Sequence, residues 1–136
     1  MSELGALSGP LCGAALFVAL AGGRVPREWP PARPRALAVR WLSLGLMAAL
    51  EELVWRGLIL AGLALAFGSS GALLASSAWF ATWHAAALGR RCVVHFATGL
   101  GFGGLFLVGG LGAAMLAHAT YNLLVDWGVQ SRRCRA

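Results

Sequence analysis

The sequence predicts an all-α protein, a polytopic transmembrane bundle of about five helices, and three observations predict it. Of the 136 residues, 59% are hydrophobic and only 12% charged, and mean hydropathy is +0.73; a soluble domain carries roughly a quarter charged residues. The 19 glycines lie largely in apolar runs, where small residues let helices approach closely in lipid. Apolar segments near the roughly 20 residues needed to cross a bilayer recur along the chain, separated by Arg-, Pro- and Gly-rich breaks.

The first segment, about 4–22, carries Glu3 and no basic residue at its start. That argues against a cleaved signal peptide, and it reads as a retained helix. GGRVPREWPPARPRALAVR follows as a loop rich in Pro and Arg. The second segment, about 41–67, is longer than one span needs, so it tilts or begins in the interface. Ser69-Ser70-Gly71, Gly89-Arg90-Arg91 and Gly109-Gly110 mark turns, leaving segments at about 70–88, 92–108 and 111–127. Three parts result: residues 1–40, an N-terminal transmembrane helix with an Arg/Pro-rich cytoplasmic loop; residues 41–127, a four-helix core; and residues 128–136, a basic cytoplasmic tail.

Net charge is +6, and every basic residue is an arginine. A nucleic-acid partner is excluded by distribution, because the arginines flank apolar segments instead of lining one soluble face. Ten of the eleven fall between segments 1 and 2, between 3 and 4, or after 5, which is one side of a five-span protein. The positive-inside rule makes that side cytoplasmic, with the C-terminus there too. Cys12, Cys92 and Cys134 are odd in number and scattered, which indicates neither a disulfide framework nor a thiolate metal site. Cys134 is third from the end, and a prenylation box needs it fourth.

The eleventh arginine, Arg56, belongs to EELVWRG at 51–57. An ionised side chain in the bilayer core costs at least ~2.5–3.5 kcal/mol, so it pairs, lines a wet cavity or does chemistry. The intramembrane polar set is Glu51, Glu52, Arg56, His84, His118 and Asn122. Glu52 and Arg56 are i, i+4 and can pair on one helix face; Glu51 is turned about 100° away. His118 and Asn122 are also i, i+4, and His84 stands one turn after Phe80. At ~1.5 Å per residue these groups share the cytoplasmic half of the bilayer. Singly, each has a structural reading: an ion pair, a packing histidine, an interhelical amide. Together they favour a reaction centre. His95, close behind Arg90, Arg91 and Cys92, reads as a surface or headgroup contact. Asp126 beside Trp127 reads as structural, and Gly99-x-x-x-Gly103 as a packing face.

E-E-x-x-x-R at 51–56, F-x-x-x-H from Phe80 to His84 and H-x-x-x-N from His118 to Asn122, in that order, resemble the CPBP family of intramembrane proteases. That family includes type II CAAX prenyl endopeptidases, abortive-infection proteins and lysostaphin-resistance-type proteins. The resemblance covers about 41–127. Two departures stand out: Trp55 replaces the usual Phe before the arginine, and one helix precedes the motif helix where members often carry several. The resemblance implies an integral protein of the bacterial plasma membrane that cuts a peptide or protein substrate at the lipid bilayer. It further implies that Glu51 with His84 activates water while His118 and Asn122 stabilise the oxyanion. Arg56 would hold Glu52 ionised and leave Glu51 to take the proton. No cofactor is certain: Glu51, His84 and His118 would make a Zn²⁺ set with one open position, yet no H-E-x-x-H is present. The metal-free glutamate scheme is the favoured of the two. Other functions compatible with the residues are a small transporter or proton relay and a non-catalytic immunity or scaffold protein. Five helices without repeat symmetry disfavour a secondary transporter.

Overall fold

The computed structural model describes residues 3–20, 34–88 and 92–133, and all of them are helical. Helix α1 spans Glu3–Leu20 and α2 spans Pro34–Glu52; a π-helical stretch, Leu53–Leu60, runs directly into α3, Ala61–Leu88. Helix α4 spans Cys92–Arg133. The turn expected at 89–91 and the stretch 21–33 lie outside the described residues.

Two expected boundaries are corrected. The loop expected to run to residue 40 ends earlier, because α2 starts at Pro34. Proline is tolerated in a first helical turn, where its missing N–H has no intrahelical partner, and Ala36, Leu37, Ala38 and Arg40 are good helix formers. Helix α4 also runs past the expected end at 127, to Arg133.

Neither long helix is straight. Gly68 (φ 68°, ψ 170°) interrupts α3 and Gly110 (φ 77°, ψ −179°) interrupts α4, in a backbone region open essentially to glycine alone. Phe102 and His118 are sixteen positions apart, about 24 Å along a straight helix, yet their rings stack with centroids 4.7 Å apart. The chain therefore folds back at Gly110. Trp55 and Phe80 make the same case for Gly68, with centroids 5.2 Å apart. The first reversal lies at Gly68, ahead of the expected 69–71, and Gly71 is inside the following helix.

These reversals stack rods side by side. Helix α1 packs on the 111–133 rod through Gly13, where an added Cβ would lie 2.2 Å from the Ala117 carbonyl oxygen. Its Phe17 ring meets Tyr121 edge-on at 6.5 Å. The α2–π rod runs antiparallel to the same 111–133 rod: Arg40 Nε donates to Asp126 Oδ1 at 2.8 Å, and further in Glu52 meets His118. Gln130 also donates to Asp126, so Asp126 serves to tie these rods together near one end.

Polarity is arranged inside out. Glu52 and Arg56 are buried, while Leu65 and Val108 are 92% and 85% exposed. Two stretches, Arg35–Ala85 and Cys92–Ser131, are long and apolar enough to cross a membrane, and only 11% and 28% of their most apolar windows are buried in the fold. A soluble core helix would be mostly covered; these present apolar side chains outward, as lipid requires.

Candidate functional site

Of the polar residues picked out by spacing, Glu51, Glu52, Arg56, His84 and His118 lie where four rods meet. Glu52 ends α2, and at the next residue the helix widens: Ala61 N–H bonds back to the Arg56 carbonyl, five residues earlier. Such π turns recur at functional sites because they re-aim side chains a regular helix would carry elsewhere. Here the wide turn buries Trp55, Arg56 and Leu60.

Arg56 is the hub. Its Nη1 donates to Glu52 Oε1 at 3.1 Å and its Nη2 to the Gly99 carbonyl at 3.0 Å. The guanidinium also lies over two rings, 5.1 Å from the Phe80 centroid and 5.8 Å from that of Phe102, within cation–π range. One cation thereby links α2, α3 and both the backbone and a ring of α4.

On one side of this hub stands His118. Its Nδ1 is 2.7 Å from Glu52 Oε1, the oxygen that also accepts from Arg56. A carboxylate held by a guanidinium only accepts, so the imidazole is the donor and Nδ1 carries a proton. The ring is pressed face to face on Phe102, 19° from parallel. Its other nitrogen, Nε2, faces Glu51 Oε2 at 3.9 Å. The two carboxylates differ in setting: Glu52 is fully buried, whereas the Glu51 side chain is 34% exposed. Glu52 Oε2 is buried without a hydrogen-bond partner. Asn122, one turn beyond His118, is half-buried.

His84 stands against the Phe80 ring, which the guanidinium also covers. Its Nδ1–H donates to the Phe80 carbonyl at 2.8 Å, since a carbonyl can only accept. His95 stacks on it with ring centroids 4.3 Å apart and planes 13° from parallel. The surface reading of His95 is thereby corrected: all three histidines of the chain flank the Arg56 hub. The misreading has a plain cause, since its sequence neighbours are interfacial arginines and a cysteine. Its place one turn before Gly99, the residue whose carbonyl holds Arg56, shows only in the fold. Phe102 was missed for a similar reason, because an aromatic in an apolar run carries no signal of its own.

Glu51 also lines an apolar groove of about 340 Å³ between the Leu50–Ile59 stretch and Trp79 with Trp83 on the neighbouring rod. Among the described residues, Glu51 is the one ionisable group that lines it. Trp79, Trp83, Leu50 and Val54 are all exposed, so the groove opens on the lipid-facing side.

The three residues considered as Zn²⁺ ligands are not gathered into a ligand set. Glu51 faces His118, but His84 turns to the Phe80 carbonyl and the His95 ring. Among the described residues no three His, Cys, Asp or Glu side chains converge as a metal site.

A family model described as type II CAAX prenyl endopeptidase Rce1-like matches residues 34–124. That match takes in every residue of the cluster and leaves out α1. No curated protein and no solved structure matches the chain.

Proposed function

The chain belongs to the type II CAAX prenyl endopeptidase Rce1-like family, and from that premise we propose that it hydrolyses peptide bonds within the membrane by glutamate-based chemistry. The observation that carries this reading is the position of Glu51. It is the ionisable group of a lipid-facing groove and at once faces His118 Nε2 at 3.9 Å. An apolar substrate segment entering from the bilayer would come to rest against Glu51, and a prenyl-bearing C-terminus, as the family description names, suits such a groove.

Glu51 takes the proton of the attacking water. His84 assists as a second acceptor through Nε2, left without a proton by the tautomer that its bond to Phe80 sets. The hydroxide adds to the carbonyl carbon, and the resulting oxyanion receives hydrogen bonds from the Asn122 amide and His118 Nε2–H. His118 Nδ1 already donates to Glu52, so donation from Nε2 as well requires the imidazolium. Buried Glu52, hydrogen-bonded to Nδ1, is the counter-charge beside it, since Glu51 holds the water's proton at this stage. The oxyanion then re-forms the carbonyl as the C–N bond breaks, and Glu51 returns the water's proton to the leaving amine nitrogen. Because the Zn²⁺ ligand set is not assembled, no step is routed through a metal.

The chain reversals at Gly68 and Gly110 support five membrane crossings. The arginine distribution then supports a cytoplasmic C-terminus and a reaction near that face of the plasma membrane. A reporter fused after Ala136 is expected to be active only as a cytoplasmic fusion; export of the reporter would overturn the orientation.

The chemistry is tested with purified protein and a prenylated C-terminal peptide. Wild type is expected to cut it and to keep doing so after exhaustive chelation. Asn122→Ala, which removes one oxyanion donor, should lower kcat by about 10²–10³. A proton relay would tolerate that substitution, so transport-like function with intact Asn122→Ala activity would replace the protease reading.

A further inference from the structure

His95 lies in the cluster without a role in the chemistry above, and its geometry gives it one. We propose that His95 is a positioning residue for His84: its ring holds the His84 imidazole in one plane and one tautomer, with Nε2 presented to the site. The inference rests on the proposed proteolytic reading for its kinetic consequence, and on geometry alone for its structural one.

His84 is anchored at one atom by the Nδ1–H bond to the Phe80 carbonyl. A single hydrogen bond fixes a point on the ring and leaves the plane free to tilt. Two further surfaces remove that freedom. Phe80 leans on His84 with centroids 4.5 Å apart, and His95 covers His84 nearly parallel at 4.3 Å. Phe80 in turn meets His95 edge-on at 5.6 Å, so the three rings close on one another and none can turn alone.

The height of His95 is set from a distance. His95 and Gly99 are i, i+4 on α4 and share a face. Arg56 holds the Gly99 carbonyl while its Nη1 holds Glu52. The guanidinium that fixes the buried carboxylate thus also fixes the register at which His95 meets His84. A flat ring is what this contact needs; ring nitrogens are not.

Two variants separate stacking from nitrogen chemistry. His95→Leu keeps bulk and loses the flat face, whereas His95→Phe keeps the face and loses the nitrogens. Nitrogen-15 spectra of labelled histidine in detergent, with the His84 signals assigned through His84→Gln, report its tautomer. Wild type should show His84 as the single Nδ1–H form, His95→Leu an averaged mixture, and His95→Phe a return to the single form. On a cleavable peptide, His95→Leu should lose about 10- to 30-fold in kcat with little change in KM, as expected for a misplaced catalytic group. His95→Phe should recover most of that loss. A His95→Leu protein with wild-type spectra and wild-type kcat overturns the proposal. A His95→Phe protein as impaired as His95→Leu overturns it too, since the ring nitrogens would then carry the role. If wild type cuts no peptide, the proteolytic reading fails by itself and the nitrogen spectra alone decide the positioning role.

Discussion

Glu51→Gln is expected to abolish peptide cleavage, by about 10²–10⁴ or more in kcat, while the protein stays folded in the membrane. The asymmetry follows from the setting of the side chain. Glu51 is partly exposed, and its contact with His118 Nε2, at 3.9 Å, is longer than a hydrogen bond. The amide has nearly the same shape and keeps the groove wall, so little folding energy is at stake. What it cannot do is accept a proton from water. Thermal unfolding in detergent should give a midpoint within a few degrees of wild type, alongside loss of turnover. Substantial residual turnover would move the base elsewhere; the buried Glu52, with its unpartnered oxygen, would be the next candidate.

Arg56→Ala is expected to fail in the opposite way, by loss of folded protein. The substitution removes both hydrogen bonds of the guanidinium and its contacts with two aromatic faces. Among the described residues, Glu52, fully buried, would keep only His118 as a partner. Breaking a buried ion pair from one side costs about 3–5 kcal/mol because a charge is left uncompensated. That is a large share of the roughly 5–15 kcal/mol that holds a typical domain together. Folded yield from detergent extraction should fall sharply, and Arg56→Ala combined with Glu52→Gln should recover part of it by removing the stranded charge. Equal folded yield for Arg56→Ala and Glu51→Gln would refute the division of labour between the two glutamates.

The sequence by itself determined the class of the protein and the identity of its polar cluster. Hydropathy is additive along a chain, so a helical membrane protein can be read from composition, and charges in an apolar run stand out because lipid penalises them. Helical spacing alone sufficed to put Glu52 with Arg56, since i, i+4 neighbours share a helix face whatever the fold does. The Gly109-Gly110 pair marked the break at Gly110 closely, and Ser69-Ser70-Gly71 marked the one at Gly68 within a few residues.

Only the tertiary structure decided how the parts engage. The π turn at Leu53–Leu60 is an excess residue in the backbone ladder that no local preference in this stretch announces. That Glu52 serves two donors at once, Arg56 and His118, depends on the antiparallel register of two rods joined through a long intervening chain. His95 and Phe102 entered the site for the same reason. Their importance lies in which ring each one faces, and ring faces are set by packing between rods, where sequence periodicity within one rod carries no information.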